Sequence, residues 1–481
     1  MKESIFRISK NCSSIEQAAQ IALLIDGDEY FQTFFDMADQ AKQSIDILGW
    51  EVDSRIGLGH IKDSYPDNLR VYFNQLIKKN KQLHINIMSW KPSLFLLFDR
   101  ELFASIKWKI KTSENIRFKE NRHLDLYGTF HEKLAVIDES CAFIGGMDIT
   151  RKRWDTSEHR LNHPLRKDLD GRPYHPIHDI QMICTGKLAQ ELSRQLLKKN
   201  QRPKNQIPAL EEEASWPRTV TSQLQRVPAA ISRTKASGQN EIESLYYDAI
   251  ESAQQFIYIE NQYFSHHGII SLLCEKLMRP QGPEIIIVIP YSYRGLFEKA
   301  IYVNERNKAI KSLQNADRYH RLAIFYPGSV EENSSQFIVV HSKFMVIDNT
   351  FLTLGSANLN HRSMRVDHEL NVSIEALENE EIERFIGQTV YRLISEHLDV
   401  SASEIQREFE SRRSLLESIK VLNHQQKRAL KEMPLTSVLS LDRLLILLTP
   451  FVDIQYSFPK AHFIIFAFII LLMSLIFMKA S

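Results

Sequence analysis

HEKLAVIDESCAFIGGMDI, residues 131–149, and HSKFMVIDNTFLTLGSANL, residues 341–359, are two versions of one pattern, 210 residues apart. His131 aligns with His341, Lys133 with Lys343, Asp138 with Asp348 and Gly145 with Gly355, with apolar residues matching between them. Four polar or special positions recurring in register indicate an internal duplication. On a strand, residues two apart share a face, so each copy projects one imidazole and one ammonium together.

The repeat extends upstream. FFDMADQAKQSIDIL, from Phe34, resembles YYDAIESAQQFIYIE, from Tyr246, and each reads as a helix followed by a buried strand. LHINIMSW (Leu83–Trp90) and PEIIIVIP (Pro283–Pro290) are a further pair of apolar runs of strand length. Strands alternating with helices predict α/β layers. Residues 1–200 and 241–400 are therefore expected to be two α/β halves, each carrying one copy of the motif. The proline-rich, polar stretch 201–240 reads as a linker or surface loop. Residues 401–460 read as a helical, membrane-proximal region.

The last part of the chain suggests a membrane. AHFIIFAFIILLMSLIFM, Ala461–Met478, is apolar throughout, and a helix of about eighteen residues rises roughly 27 Å, close to the hydrocarbon thickness of a bilayer. It is expected to be a transmembrane anchor. LTSVLSLDRLLILLTPFV, Leu435–Val452, carries Asp442, Arg443 and Pro450 and reads as an interfacial or re-entrant helix, with a core helix as the alternative. Lys427, Arg428, Lys431, Arg443 and Lys460 precede the span and Lys479 follows it, which predicts a single-pass anchor with the catalytic body facing the cytoplasm. The first twenty residues lack the apolar run of a secretory signal.

Lys plus Arg number 60 against 59 Asp plus Glu, a net charge of +1 without the basic excess of a general nucleic-acid binder, so no nucleic-acid partner is expected. Cys12, Cys141, Cys184 and Cys274 are scattered and form no metal or disulfide pattern.

Two facing halves would bring two histidines and two lysines to one site. That set suits a two-step displacement at phosphorus. One imidazole attacks to give a phosphohistidine, and the other protonates the leaving alcohol and then activates water or a second alcohol. The lysines neutralise the non-bridging oxygens. This chemistry requires no metal and no other cofactor.

The motifs resemble those of the phospholipase D superfamily, whose signature is HxKx4Dx6GSxN. The second copy matches in full through Ser356 and Asn358. The first departs from it, with Gly146 and Asp148 in place of Ser and Asn. Asp148 can accept hydrogen bonds but has no amide N–H to donate. IYIENQYF (Ile257–Phe264), GGMDITRKRWDT from Gly145, HPIHDI (His175–Ile180) and Gly49–Trp50 narrow the resemblance to the branch acting on glycerophospholipids.

The resemblance implies a duplicated fold of two mixed β-sheets flanked by helices and related by a pseudo-two-fold axis, here joined to C-terminal helices and one transmembrane helix. It also implies hydrolysis of a phospholipid substrate to phosphatidic acid and free headgroup alcohol, with transfer to another alcohol as a second outcome. The implied catalytic groups are His131 as nucleophile, His341 as general acid, and Lys133 and Lys343. Lys133, Lys343 and Asn358 would bind phosphate. Asp138 and Asp348 would hold local turns, and Ser356 and Asp148 would support the site. Asp179 and Glu369 would each fix the tautomer of a catalytic histidine, Asp367 being the competitor of Glu369. The alternatives within the resemblance are a phosphatidyl transferase such as a cardiolipin synthase, a superfamily nuclease, or an inactive lipid-binding scaffold.

Overall fold

The computed structural model describes residues 3–435 apart from 60, 63, 67, 91–100, 102–103, 111, 122–127, 201–214, 294–295, 332–333 and 424–426. The motif strands Leu134–Ile137 and Lys343–Ile347 are buried along their whole length. Alternation decides where each residue goes: Leu134 and Val136 join one core cluster while Ala135 and Ile137 join another, and Phe344 and Val346 separate from Met345 and Ile347 in the same way. Continuous apolar runs here mean strands covered on both faces.

In the first half the strand order is Ile116–Asn121, His84–Trp90, Ser44–Gly49, Leu134–Ile137, Cys141–Gly145, Ile180–Gly186, Ser14–Ile25. The first two pairings are parallel and the rest antiparallel. The second half repeats this order and sense with Leu322–Glu331, Glu284–Val288, Phe256–Asn261, Lys343–Ile347, Phe351–Gly355, Glu369–Glu375 and Leu224–Lys235. The halves then meet strand to strand, because Ser14–Ile25 pairs antiparallel with Leu224–Lys235. Gln17 opposes Pro228 and Ala18 opposes Val227. A shift of 210 residues converts one pair into the other, so the pseudo-two-fold axis passes between them.

The outer face of the first half is covered by helices Asp26–Gln40, Leu69–Lys79 and Ala104–Ile110. Helices Glu241–Ser252, His267–Met278 and Leu296–Ala316 cover that of the second. Between the inner faces, helices Lys187–Asn200 and Glu380–Leu398 share one core with strand residues of both halves.

Three sequence expectations change. Hydrogen bonding through Ser14–Ile25 and Leu224–Lys235 makes one large mixed sheet where two were expected. The stretch 201–240, read as linker or loop, contributes the strand Leu224–Lys235 to the middle of that sheet. The transmembrane helix and the single-pass anchor with a cytoplasm-facing body are also corrected, since no helix among the described residues is long and apolar enough to cross a membrane. The long helices are charged: Leu296–Ala316 carries Glu305, Arg306, Lys308 and Lys311, and Glu380–Leu398 carries Glu380, Glu381, Glu383, Arg384, Arg392 and Glu396. Residues 436–481, including Ala461–Met478, lie outside the described residues.

Candidate active site

Each motif histidine enters the site pinned to the opposite half. The His131 N–H donates to His368 O at 3.0 Å, and the His341 N–H donates to His178 O at 2.8 Å. Phe130 bridges to His368, while Val339–Val340 runs parallel to Ile177–His178. The segments so paired each lead into a carboxylate. His131 Nδ1 lies 3.0 Å from Glu369 Oε1 and 3.1 Å from Oε2, and His341 Nδ1 lies 2.6 Å from Asp179 Oδ2. Every imidazole is thus oriented by a carboxylate from the other half, which fixes its tautomer. Asp367, the competitor of Glu369, instead takes the Thr129 N–H and the Arg362 guanidinium.

The altered first motif has a steric reason. In the second half Ser356 Oγ donates to Glu369. In the first half a Cβ on Gly146 would fall 2.1 Å from Asp179 Oδ1. Asp is one carbon shorter than Glu, and its carboxylate occupies the space a serine side chain would need.

The lysines are held differently. Lys133 Nζ donates to His131 O at 3.0 Å and pairs with Asp148 Oδ2 at 3.2 Å. Asp148 also accepts the Trp50 N–H at 2.8 Å. Lys343 Nζ donates to His341 O and to Gln262 Oε1, the latter at 2.9 Å. Asn358 is buried, and its Oδ1 has no hydrogen-bond partner among the described residues. Asp138 accepts the N–H groups of Lys42, Gln43 and Ser44, and Asp348 those of Gln254, Gln255 and Phe256, at 2.6–2.9 Å.

Electrostatics bring the halves together. Burial holds His131 well below the ordinary imidazole value, and the charges of both Lys133 and Lys343 push the same way. Burial lowers Lys343 to about 7, with Lys133 and Arg153 contributing and Asp179 opposing. Burial raises Glu369 well above the carboxylate range, Asp367 adding to it. A neutral imidazole at His131 keeps a lone pair for attack, and two ammonium groups within electrostatic reach suit a phosphate anion.

Residue-by-residue reading did not single out Gln262, Glu260 or the buried groups behind His341. IYIENQYF contained the signal, since its period of two puts Tyr258, Glu260 and Gln262 on one face of the strand. Tyr258 OH donates to Glu260 Oε1 at 2.6 Å, and Glu260 Oε2 lies 2.8 Å from His178 Nε2.

A family described as "Cardiolipin synthase, PLD-like domain" matches residues 246–388. Among curated proteins the chain is 24% identical over 415 residues to Phospholipase D A of Dictyostelium discoideum, covering 72% of this chain and 32% of that protein. It is 23% identical over 499 residues to Phospholipase D1 of Saccharomyces cerevisiae, with 80% and 29% covered, and 21% identical over 462 residues to Phospholipase D2 of Bos taurus, with 74% and 49% covered. The chain therefore spans half or less of the length of these relatives. Among solved structures, phosphatidylserine synthase of Haemophilus influenzae Rd KW20 shares the fold with a TM-score of 0.54 at 13% identity, over 92% of this chain and 96% of that one.

Proposed function

We propose, for a chain that belongs to the phospholipase D superfamily, that it is a phosphodiesterase cleaving the distal phosphodiester of glycerophospholipids. The observation that carries this reading is the crossed arrangement of Glu369 behind His131 and Asp179 behind His341, with Lys133 and Lys343 beside them. Anchoring through Nδ1 assigns the chemistry to Nε2 of each ring.

Nε2 of His131 attacks phosphorus, and the bond to the headgroup oxygen breaks as His341 gives that oxygen its Nε2 proton. The headgroup leaves as an alcohol and the phosphatidyl group stays on His131. His341, now neutral, takes a proton from water, whose oxygen attacks phosphorus. Phosphatidic acid leaves and both imidazoles return to their starting states. Lys133, Lys343 and Asn358 hold the non-bridging oxygens throughout, and Glu369 and Asp179 stabilise whichever ring is protonated. Ser356 steadies Glu369 and Asp148 steadies Lys133, while Asp138 and Asp348 hold turns away from the phosphate.

The second reading, phosphatidyl transfer, replaces water by an alcohol and is favoured by the cardiolipin synthase description of the family matching residues 246–388. Vesicles of phosphatidylcholine and phosphatidylglycerol with added 1-butanol test both. Phosphatidic acid and phosphatidylbutanol, absent with His131→Ala or His341→Ala, support the hydrolase, and cardiolipin as main product supports transfer. Absence of every phosphatidyl product would overturn the lipid reading.

A further inference from the structure

Behind His341 lies a second constellation that the proposed reaction does not use. Asp26 opens the helix Asp26–Gln40, His159 lies in the loop after the first motif, His178 belongs to Ile177–His178, and Glu396 sits in the last turn of Glu380–Leu398. All four are buried, and their donor atoms lie within 4.8 Å of one another. His159 Nε2 is 3.1 Å from Glu396 Oε1 and 3.5 Å from Asp26 Oδ2. His178 Nδ1 is 2.7 Å from Glu396 Oε1 and 3.1 Å from Asp26 Oδ1. We propose that these four side chains form a structural divalent-metal site, with zinc as the ion their donors fit best.

Four observations carry it. The separations approach the edge of a tetrahedron with bonds of about 2.0 Å, which is roughly 3.3 Å. Two nitrogens and two carboxylate oxygens are a donor set for zinc. Asp26 Oδ2 is fully buried and makes no hydrogen bond, and it faces His159 Nε2 across 3.5 Å, inside the cluster.

Finally, each histidine has its remote nitrogen held by a further carboxylate: His159 Nδ1 is 2.9 Å from Asp155 Oδ2, and His178 Nε2 is 2.8 Å from Glu260 Oε2. That is the support a metal-bound imidazole receives. Charge agrees. Asp26, Asp155, Glu260 and Glu396 are four buried carboxylates, and among the described residues Arg166, 2.8 Å from Asp155, is the one arginine or lysine paired with them. A divalent cation balances two more.

The ion would tie the halves together, joining three ligands of the first to Glu396 of the second. It would also sit one residue from Asp179, whose N–H donates to Asp26 Oδ1 at 3.2 Å.

The test is elemental analysis of the full chain purified from zinc-supplemented cells, followed by exchange with cobalt(II). The expected result is about one zinc per chain and, after exchange, the visible absorption of tetrahedral cobalt(II). His159→Ala and Glu396→Gln should reduce the zinc content at least about ten-fold, whereas His131→Ala retains it. Should those ligand variants fail to fold, the cobalt(II) spectrum of the unmutated protein decides. Folded protein without zinc that gives no tetrahedral cobalt(II) spectrum would overturn the proposal in favour of a purely proton-linked cluster. Zinc lost with His131→Ala and kept with Glu396→Gln would overturn it as well.

Discussion

Glu369 and His131 lie 238 positions apart in the chain and 3.1 Å apart in space, and that contact governs how the proposed nucleophile behaves. Glu369→Gln keeps the shape but removes the ionisable carboxyl group that orients the imidazole and stabilises the imidazolium when it forms. We expect kcat to fall roughly 10²–10⁴-fold with KM little changed, measured as steady-state kinetics on phospholipid vesicles. Gly146→Ser restores the residue found in the second motif, yet its Cβ meets Asp179 Oδ1 at 2.1 Å. Displacing Asp179 from His341 should cost roughly 10²-fold in kcat, and a variant as active as the parent would refute the steric account. The pH profile follows from the same groups. His131 acts unprotonated and is held below its ordinary value of 6.5, so the acid limb of kcat/KM should lie below that pH. Lys343 binds phosphate only when protonated, so the alkaline limb should begin near 7 and move upward in Lys343→Arg. The histidines and lysines were legible because their types recur at a fixed spacing. Asp179 and Glu369 were legible as candidates, but their assignment was not: they are 190 positions apart where the motifs are 210 apart, so alignment alone does not show that each serves the opposite histidine.

Asp138 and Asp348 act on elements. Each gathers three consecutive backbone N–H groups where the chain enters the strand Ser44–Gly49 or Phe256–Asn261. Replacing either with Ala leaves those donors to water or unpaired and should cost about 1–3 kcal/mol. Urea unfolding should show this as a lowered midpoint at unchanged slope. The strand Leu224–Lys235 was the element that sequence reading missed. Pro228 has no N–H to donate, Arg226 has φ of +53°, and Gln225 and Arg226 break the apolar pattern. Its neighbour Ser14–Ile25 breaks register between Ala18 and Ile21. These features suit two strands meeting across a pseudo-two-fold axis, which the sequence of either strand alone does not reveal. The four side chains of the buried cluster were illegible for a related reason. They stand at 26, 159, 178 and 396 with no local spacing pattern.

At the scale of the molecule, duplication made the α/β class legible, and the joining of the halves into one sheet was not. The apolar run Ala461–Met478 led to an anchor, whereas no helix among the described residues is long and apolar enough to cross a membrane. The crossed carboxylates make a specific demand on the whole chain. Residues 1–200 contain His131 without Glu369, and residues 215–435 contain His341 without Asp179. Each piece expressed alone should be inactive, and co-expression should restore activity, measured as headgroup release. Activity in either piece alone would break the claim of one shared site.

That shared site is tested most directly by trapping its covalent intermediate. Phosphatidyl-p-nitrophenol, radiolabelled in its phosphate, has a leaving group that needs no general acid. With His341→Ala, the account predicts an acid-labile, base-stable label that maps to the peptide containing His131, and no label with His131→Ala. Label accumulating on His341 in the His131→Ala protein, or p-nitrophenol released by His341→Ala with no adduct at any stage, would contradict it.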